Sequence, residues 1–368
     1  MSKFEDTVAR LKSVKIKYPL GLARLRFTAA VRADAWDVIA DLMESGLDDN
    51  RAIEAAAYMF KLRGQGSASA LLLDLSASIG RGEYEPTLAQ AARGAEALVF
   101  SNAGQVAGPV VFRGAARVVR NEQAITAAIV EALTKPALLI VSIIDLLEMM
   151  GLKMFPAFEE ISPPSNWPAM TQSIARLSGW LIASGYYGLA GAIASFAAIG
   201  LSQAYAIGEG PRARAIRTQL DRFPPWSFYR LRTGAAFAFA VIEIARSGGT
   251  LNGTTLRRMA QFGSKYSRIH ITAIADALET GGTLATAFKA GGGFPDPELN
   301  AVMSVLAGQP NAIEKFGTYT DRWILTAEKA VKRKSATLNG LLLILITGVI
   351  AAVIQAIFGI MLSVGTGL

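Results

Sequence analysis

The chain has 368 residues, of which 52% are hydrophobic and 18% charged, with a formal net charge of +8 and no cysteine. This length suits two soluble domains, but the composition is too apolar for that, so we expect part of the chain to lie in lipid. The lack of cysteine excludes disulfides and thiolate metal sites. The positive charge fits either nucleic acid binding or the excess of Lys and Arg on the cytoplasmic side of membrane helices.

The positions of the cations favour the membrane interpretation. They flank the apolar stretches and fill an N-terminal arm, residues 1–26, which lacks the apolar run of a signal peptide. We therefore expect the N-terminus to stay in the cytoplasm, where the arm is placed to touch anionic lipid headgroups. The basic residues lack interleaved aromatic side chains, which argues against nucleic acid as a partner.

The stretch 27–134 has the pattern of a bundle of short helices. Apolar residues recur at helical spacing between Val31 and Met43, a Ser-Gly pair at Ser45 ends that helix, and Asn50 is placed to cap the next one. Strand signals are almost absent. We predict a cytoplasmic helical module here.

Residues 135–158 are predicted as the first membrane span, although their apolar start is followed by Asp145 and Glu148. An acidic side chain at mid-bilayer costs about 2.5–3.5 kcal/mol on insertion scales. The two acids are three residues apart and share one helix face, which we expect to point into the interior of a helix bundle. The alternative is that both lie in an interfacial or cytoplasmic extension of the helix.

A short periplasmic loop, residues 159–176, is predicted to lead into a second span at residues 177–208. This second stretch has no charged residue and is followed by several arginines, so its C-terminal end is expected in the cytoplasm. Within it, Ser184, Gly188 and Ala192 form a stripe of small residues at four-residue spacing, which lets another helix approach closely. Tight packing within one protomer and a dimer face both fit this stripe.

The stretch 209–334 repeats the features of the first module in the same order. The aligned pairs include Ile39 with Val241, Ser45-Gly46 with Ser247-Gly248, Asn50 with Asn252, and Gly104-Gln105 with Gly308-Gln309. The shifts between pairs fall in connections rich in Gly or Pro, which argues for a duplication. We therefore predict a second homologous cytoplasmic helical module.

The last stretch, residues 335–368, contains no Asp, Glu, Lys or Arg and directly follows a basic cluster. A bilayer core about 30 Å thick requires about 20 apolar residues in a helix, and the cations are expected on the cytoplasmic side. This predicts a third span with a periplasmic C-terminus. The complete prediction is an all-α membrane protein with two modules and three transmembrane helices.

The motifs of common membrane-associated enzymes are missing. The chain has no Gly-rich phosphate loop ending in Lys and Ser or Thr, and a single histidine, His270, which we interpret as an ordinary helix residue. A zinc site or a histidine-assisted nucleophile therefore has little to build on. We expect no catalytic residue, no cofactor and no metal, and a membrane-bound enzyme that uses a carboxylate pair is disfavoured.

The order of module, span, short outer loop, span, second module and final span resembles the secretion protein F family. These are the inner-membrane platform proteins of type IV pilus and type II secretion machines, and the resemblance covers nearly the whole chain. It rests on short motifs taken in sequence, namely the Ser45-Gly46 turn, Pro136 and Pro156-Ala157-Phe158 around the first span, Pro168-Ala169-Met170-Thr171 in the outer loop, and Phe294-Pro295. Both modules have Gly-Gln where the family has Gly-Glu, which suggests a divergent branch such as bundle-forming, toxin-coregulated or conjugative thin pili.

The resemblance implies a protein without chemistry of its own in the bacterial inner membrane. It would couple a hexameric cytoplasmic assembly ATPase to pilins, as a homo-oligomer and beside other inner-membrane assembly proteins. The candidate ATPase-facing sites are the two Gly-Gln pairs, for which the simpler interpretation is that they are only turns: Gly104, Gln105, Gly308 and Gln309.

Two functions remain open for the acidic pair of the first span. In a platform protein, Asp145 or Glu148 is a candidate intramembrane polar contact that receives a positive group of a pilin. In the rival interpretation, the chain is a transporter or channel subunit whose polar path is lined by the same two residues. Three spans are few for a pathway within one chain, so this rival requires an oligomer.

Overall fold

The computed structural model is helical, with no strand among the residues that it describes. These are residues 23, 26–79, 88, 92, 94–102, 108–204, 211–223, 226–306 and 311–365. Their side chains are described except over 186–201, 203–204, 211–215 and 359–365 and at scattered positions of the last helix. The predicted all-α fold is confirmed over this part of the chain.

The helices follow one another with short connections. The first group is α1 (Ala29–Glu44), α2 (Asp49–Leu62), α3 (Gly66–Ile79), α4 (Ala95–Phe100) and α5 (Gly108–Met149). A π-helical turn (Met150–Met154), α6 (Phe155–Ile161), a 3-10 turn (Pro164–Asn166) and α7 (Ala169–Ala204) come next. The last group is α8 (Pro211–Leu220), α9 (Trp226–Arg246), α10 (Gly253–Phe262), α11 (Lys265–Glu279), α12 (Leu284–Ala290), α13 (Pro297–Leu306) and α14 (Ala312–Gly365).

These helices form two compact units. Unit 1 comprises Met1–Thr126 and Gln203–Ala327, and unit 2 comprises Ala127–Ser202 and Glu328–Leu368. Both stretches that were predicted as modules therefore belong mainly to unit 1, while α5 and α14 contribute residues to both units.

Two helical segments are long and apolar enough to cross a membrane. They are Gly108–Ile161, which joins α5, the π-helical turn and α6, and Val331–Gln355 within α14. The first segment contains the first predicted span, 135–158, and the second overlaps residues 335–355 of the third. This finding concerns the described residues alone, and most side chains of the second predicted span are not among those residues.

The same turn ends α1 in the first half of unit 1 and α9 in the second half. Ser45 Oγ donates to the carbonyl of Leu42 at 2.6 Å after α1, and Ser247 Oγ donates to the carbonyl of Ile244 at 2.7 Å after α9. The glycine after each serine has φ of +97° and +84°, respectively. Glycine adopts this left-handed conformation without the steric cost that a side chain brings, so the Ser-Gly pair stops both helices.

The cap of the following helix differs between the halves. Asn252 caps α10 as predicted, accepting a hydrogen bond at 2.8 Å from the backbone N–H three residues later. The prediction that Asn50 caps α2 is wrong, because the helix begins earlier and Asp48 accepts from the N–H of Arg51 at 2.8 Å. Asn50 lies inside α2, where its side chain accepts from the hydroxyl of Ser76.

Buried aromatic clusters on α1 and on α9 lie in the cores of the two halves. Trp36 of α1 packs against Phe100 and Phe112, with ring centroids 5.1 and 5.8 Å apart. Phe237 of α9 packs against Phe294 at 5.3 Å in the second half. All five rings are buried, and burial of one such side chain contributes about 1.5–3 kcal/mol, so these clusters tie α1 and α9 to the helices that follow.

The paired turns give a test of this fold. Nothing lies within 4 Å of a side chain added at Gly46 or Gly248, so substitution there strains the backbone alone. We expect Gly46→Ala and Gly248→Ala each to lower the free energy of unfolding by about 1–2 kcal/mol, measured by tryptophan fluorescence of the full chain in detergent. Gly46→Asn is the matched control and should lose less, since Asn adopts positive φ more readily. Alanine variants as stable as the wild type would contradict the assigned turns.

Candidate functional site

Two ion pairs join the halves of unit 1 along α5 and α9. Arg117 Nη1 lies 3.1 Å from Glu243 Oε1, and Arg232 Nε lies 3.4 Å from Glu122 Oε1. Each half supplies one acid and one base, and the order of the pairs makes the two helices antiparallel. We call these four residues the seam.

Glu243 is the buried member of the seam, with 8% of its side chain exposed. Its carboxylate lies against Gly114 of α5, where a Cβ atom would come within 3.2 Å of Glu243 Oε2. Glycine at this position therefore makes room for the acid. Burial raises the pKa of Glu243, and the charges of Arg117 and Arg246 offset part of that rise.

The surroundings of Glu243 follow from how charge is arranged in the two halves. In the first half, the acids Asp41 and Glu44 on α1 bind Arg113 of α5 at 2.8 and 2.7 Å. In the second half a base stands on α9, where Arg246 lies 3.5 Å from both Asp321 of α14 and Glu243. Glu243 therefore contacts Arg246 of its own helix and Arg117 of the opposite half.

Glu122 contacts two parts of the protein at once. Besides Arg232, its Oε2 accepts a hydrogen bond of 3.2 Å from the N–H of Ala95 at the start of α4. Gly94 has φ of +86°, and a Cβ atom there would lie 2.9 Å from the same oxygen. Because α4 packs against α9 and α10, Glu122 positions α4 where it contacts the second half.

A buried polar cluster fixes α8 onto α11. Arg217 Nε lies 3.0 Å from Asp221 Oδ1, and each side chain is only 6% exposed. Tyr266 donates to Asp221 Oδ2 at 2.9 Å, and burial together with this carboxylate raises the pKa of Tyr266. His270 lies 4.8 Å from the Tyr266 ring, and its Nδ1 is 2.8 Å from the carbonyl oxygen of Gly291. The single histidine therefore takes part in the packing of this helical half.

Within unit 2, α5 and α14 are joined where α5 contains a proline. Pro136 has no N–H, so the carbonyl of Ala132, four residues earlier, has no helical donor. Ser335 Oγ of α14 donates to that carbonyl, and both residues are buried. A buried carbonyl requires a hydrogen-bond partner, so this contact accommodates Pro136 and links α5 to α14.

A second contact joins α14 to the π-helical turn, to α6 and to the loop that follows α6. Met150, Phe155 and Trp167 form a buried cluster against which Val349 and Val353 of α14 pack. Trp167 Nε1 donates to the carbonyl of a nearby serine at 3.0 Å, so its polar atom is satisfied. The loop between the first two predicted spans thereby contacts the last one.

The acidic pair of the first span does not face the bundle interior. Asp145 and Glu148 are both exposed, whereas Leu147 and Met150 are buried. The predicted orientation is therefore wrong, and the physical reason is that the apolar neighbours gain contacts on the interior side while the carboxylates have none there.

The predicted stripe of small residues is interrupted. Ser184 Oγ donates to the carbonyl of Leu181 at 2.8 Å, and Gly185 departs from helical geometry with φ of 41° and ψ of −127°. Gly188 and Ala192 continue α7 beyond this kink, with side chains outside the described set. Four-residue spacing across the kink does not place the three on one face, and the stripe stays a prediction.

The candidate ATPase-facing turns lie outside the described residues. This holds for Gly104, Gln105, Gly308 and Gln309, and also for residues 1–22 of the basic arm.

The seam was not predicted from the sequence, although the sequence around Glu243 indicates a buried ion pair. Glu243 is an isolated acid in an otherwise apolar run of α9, and such an acid indicates a buried partner.

Comparison of the chain with protein-family models, with curated proteins and with solved structures found no match. Its proposed function therefore rests on the residues and contacts described above.

The raised pKa of Glu243 predicts a pH dependence of stability. As the pH falls from the raised folded pKa towards the usual value of 4.5, the folded state binds more protons than the unfolded state, so folding gains stability. Glu243→Gln should remove this gain, and at neutral pH it should be at least as stable as the wild type because Arg117 and Arg246 remain partly solvated. Thermal unfolding of the full chain at a series of pH values measures the difference.

Glu44→Gln, which removes an exposed carboxylate that binds an arginine, is the matched control for this experiment. We expect this variant, like the wild type, to gain folding stability as the pH falls into the acidic range. Parallel profiles for the wild type and Glu243→Gln would contradict the assigned burial of this side chain.

Proposed function

We propose that the protein is an inner-membrane platform of a type IV pilus or type II secretion machine, which couples a cytoplasmic assembly ATPase to the extraction and polymerisation of pilins. The observation that carries the proposal is the order of parts along the chain. A helical half, an apolar segment, a second helical half with the same Ser-Gly turn and a final apolar helix follow one another. This order is the one on which the resemblance to the platform family rests.

The seam supports the predicted topology. Arg117 and Glu122 of the first half contact Glu243 and Arg232 of the second, which supports placing both halves on the same side of a membrane. The chain between them must then cross an even number of times. If Gly108–Ile161 supplies one crossing, α7 supplies the return, as expected for a second span at 177–208.

The side on which the halves lie follows from the flanking charges. Basic residues precede the first span, follow the second and precede the third, and such residues collect on the cytoplasmic side. The two halves are therefore proposed as homologous cytoplasmic modules, with the loop at 159–176 and the C-terminus in the periplasm.

Two continuous helices suit the proposed mechanical role. Both α5 and α14 begin in unit 1 and continue into unit 2 without a connecting loop. In our proposal, the ATPase grips unit 1 and drives rotation or tilting, which these helices carry to the spans and to the pilins beside them. The protein itself performs no catalysis in this mechanism.

The rival function, a transporter or channel subunit, has less support. It needs Asp145 and Glu148 to line a polar path between several protomers, since both are exposed within one chain, whereas the order of parts along the chain supports a platform.

Deleting the gene in its host tests the proposed function. We expect surface pili, or secreted substrates in the type II case, to be lost while pilins remain in the inner membrane, because nothing would couple the ATPase to them. Electron microscopy and fractionation measure both effects, and a plasmid copy of the wild type should restore assembly. Normal assembly in the deletion strain, or hydrolysis of ATP by the purified chain alone, would contradict the proposal.

A further inference from the structure

One exposed face, which runs from the middle of the first predicted span into its C-terminal half, carries charges of both signs. Asp145, Glu148 and Lys153 are exposed, as are Met149 and Leu152 between them, with 45% and 55% exposure. No ion pair among the described residues involves any of the three charges. We call these five residues the mixed-charge face.

The π-helical turn at Met150–Met154 brings Lys153 onto this face. In a regular α-helix, with about 100° per residue, Lys153 would lie about 80° from Asp145 and about 140° from Glu148. A π-helical turn bonds residue i to i+5 and is therefore wound less tightly than an α-helix, which rotates Lys153 towards the two acids. The opposite side keeps its packing, because Gly151 lies tightly against Ser178 and Ile182 of α7.

Charged side chains that face lipid near mid-bilayer are costly, at about 2.5–3.5 kcal/mol each on insertion scales. A partner helix that brings opposite charges removes much of this cost. The mixed-charge face contains both acidic and basic side chains. The same face on another copy of the chain therefore offers the opposite charges that it requires.

We propose that the mixed-charge face binds the same face of a second copy within the membrane, with Lys153 of each protomer paired to Glu148 of the other. A two-fold axis along the membrane normal places identical residues at equal depth. Glu148 and Lys153 are then offset along the axis by about 7 Å, which a lysine side chain bridges between helices about 8–10 Å apart. This dimer requires the helix to lie in a membrane, and it is independent of the proposed role in pilus assembly.

Single cysteines test the contact in the full chain, which has none of its own. Met149→Cys and Leu152→Cys lie on the mixed-charge face, and Ile344→Cys, 71% exposed on α14, is the matched control. The chain is expressed without pilin or ATPase, and its membranes are oxidised with a copper catalyst. We expect a disulfide-linked dimer from at least one of the first two variants, at least fivefold above the control.

Charge changes in the same cysteine background test the pairing. Lys153→Glu should lower the cross-linked fraction several-fold because the face becomes wholly acidic, and combining it with Glu148→Lys should restore the dimer. Lys153→Gln, which removes the cation without adding an acid, should lower it less and serves where the reversal impairs folding. Helix content and elution volume verify that each variant is folded.

Two results would overturn the proposal. They are the absence of a dimer from both cysteines on the mixed-charge face, and a dimer whose yield does not change with any of the charge substitutions. Since the assay contains neither pilin nor ATPase at the outset, its failure is distinct from a failure of the platform proposal.

Discussion

The contact between the two helical halves constrains the whole account. Arg117 with Glu243, and Glu122 with Arg232, join residues that the intervening apolar segment separates along the chain. Salt bridges of this kind contribute little stability, about 0.2–1 kcal/mol when exposed. Their importance is geometric, because two halves in contact must share one side of a membrane. In the proposed topology, the double crossing between them follows from that requirement, and the cytoplasmic side follows from the basic residues that flank the spans.

A different constraint applies to unit 2, because each backbone polar group that lies in lipid requires a hydrogen-bond partner. Pro136 breaks the hydrogen-bond pattern of α5, and the hydroxyl of Ser335 compensates at the carbonyl of Ala132. At the other end, Trp167 closes the loop over Phe155, with ring centroids 5.7 Å apart. A hydrogen bond at one end and apolar packing at the other thus hold the helices of unit 2 together.

Features decided by local chemistry could be predicted from the sequence, and those decided by packing could not. The Ser-Gly stops of α1 and α9 were predictable because glycine alone adopts the required φ without strain. The cap of α2 was misassigned since Asp48 and Asn50 are equally suited to capping. The orientation of Asp145 depends on which neighbours gain contacts, and the seam depends on how α5 meets α9. Neither these contacts nor the π-helical turn leaves a periodic pattern in the sequence.

The most direct measurement is the sidedness of single cysteines in a chain that has none of its own. Gln65→Cys, Thr280→Cys and Ser165→Cys place an exposed thiol in the first half, the second half and the outer loop, respectively. In intact spheroplasts, we predict that a membrane-impermeant maleimide labels only Ser165→Cys, and that the other two react after lysis. Labelling of Gln65→Cys and Thr280→Cys from opposite sides would contradict the shared side of the two halves and the account built on it.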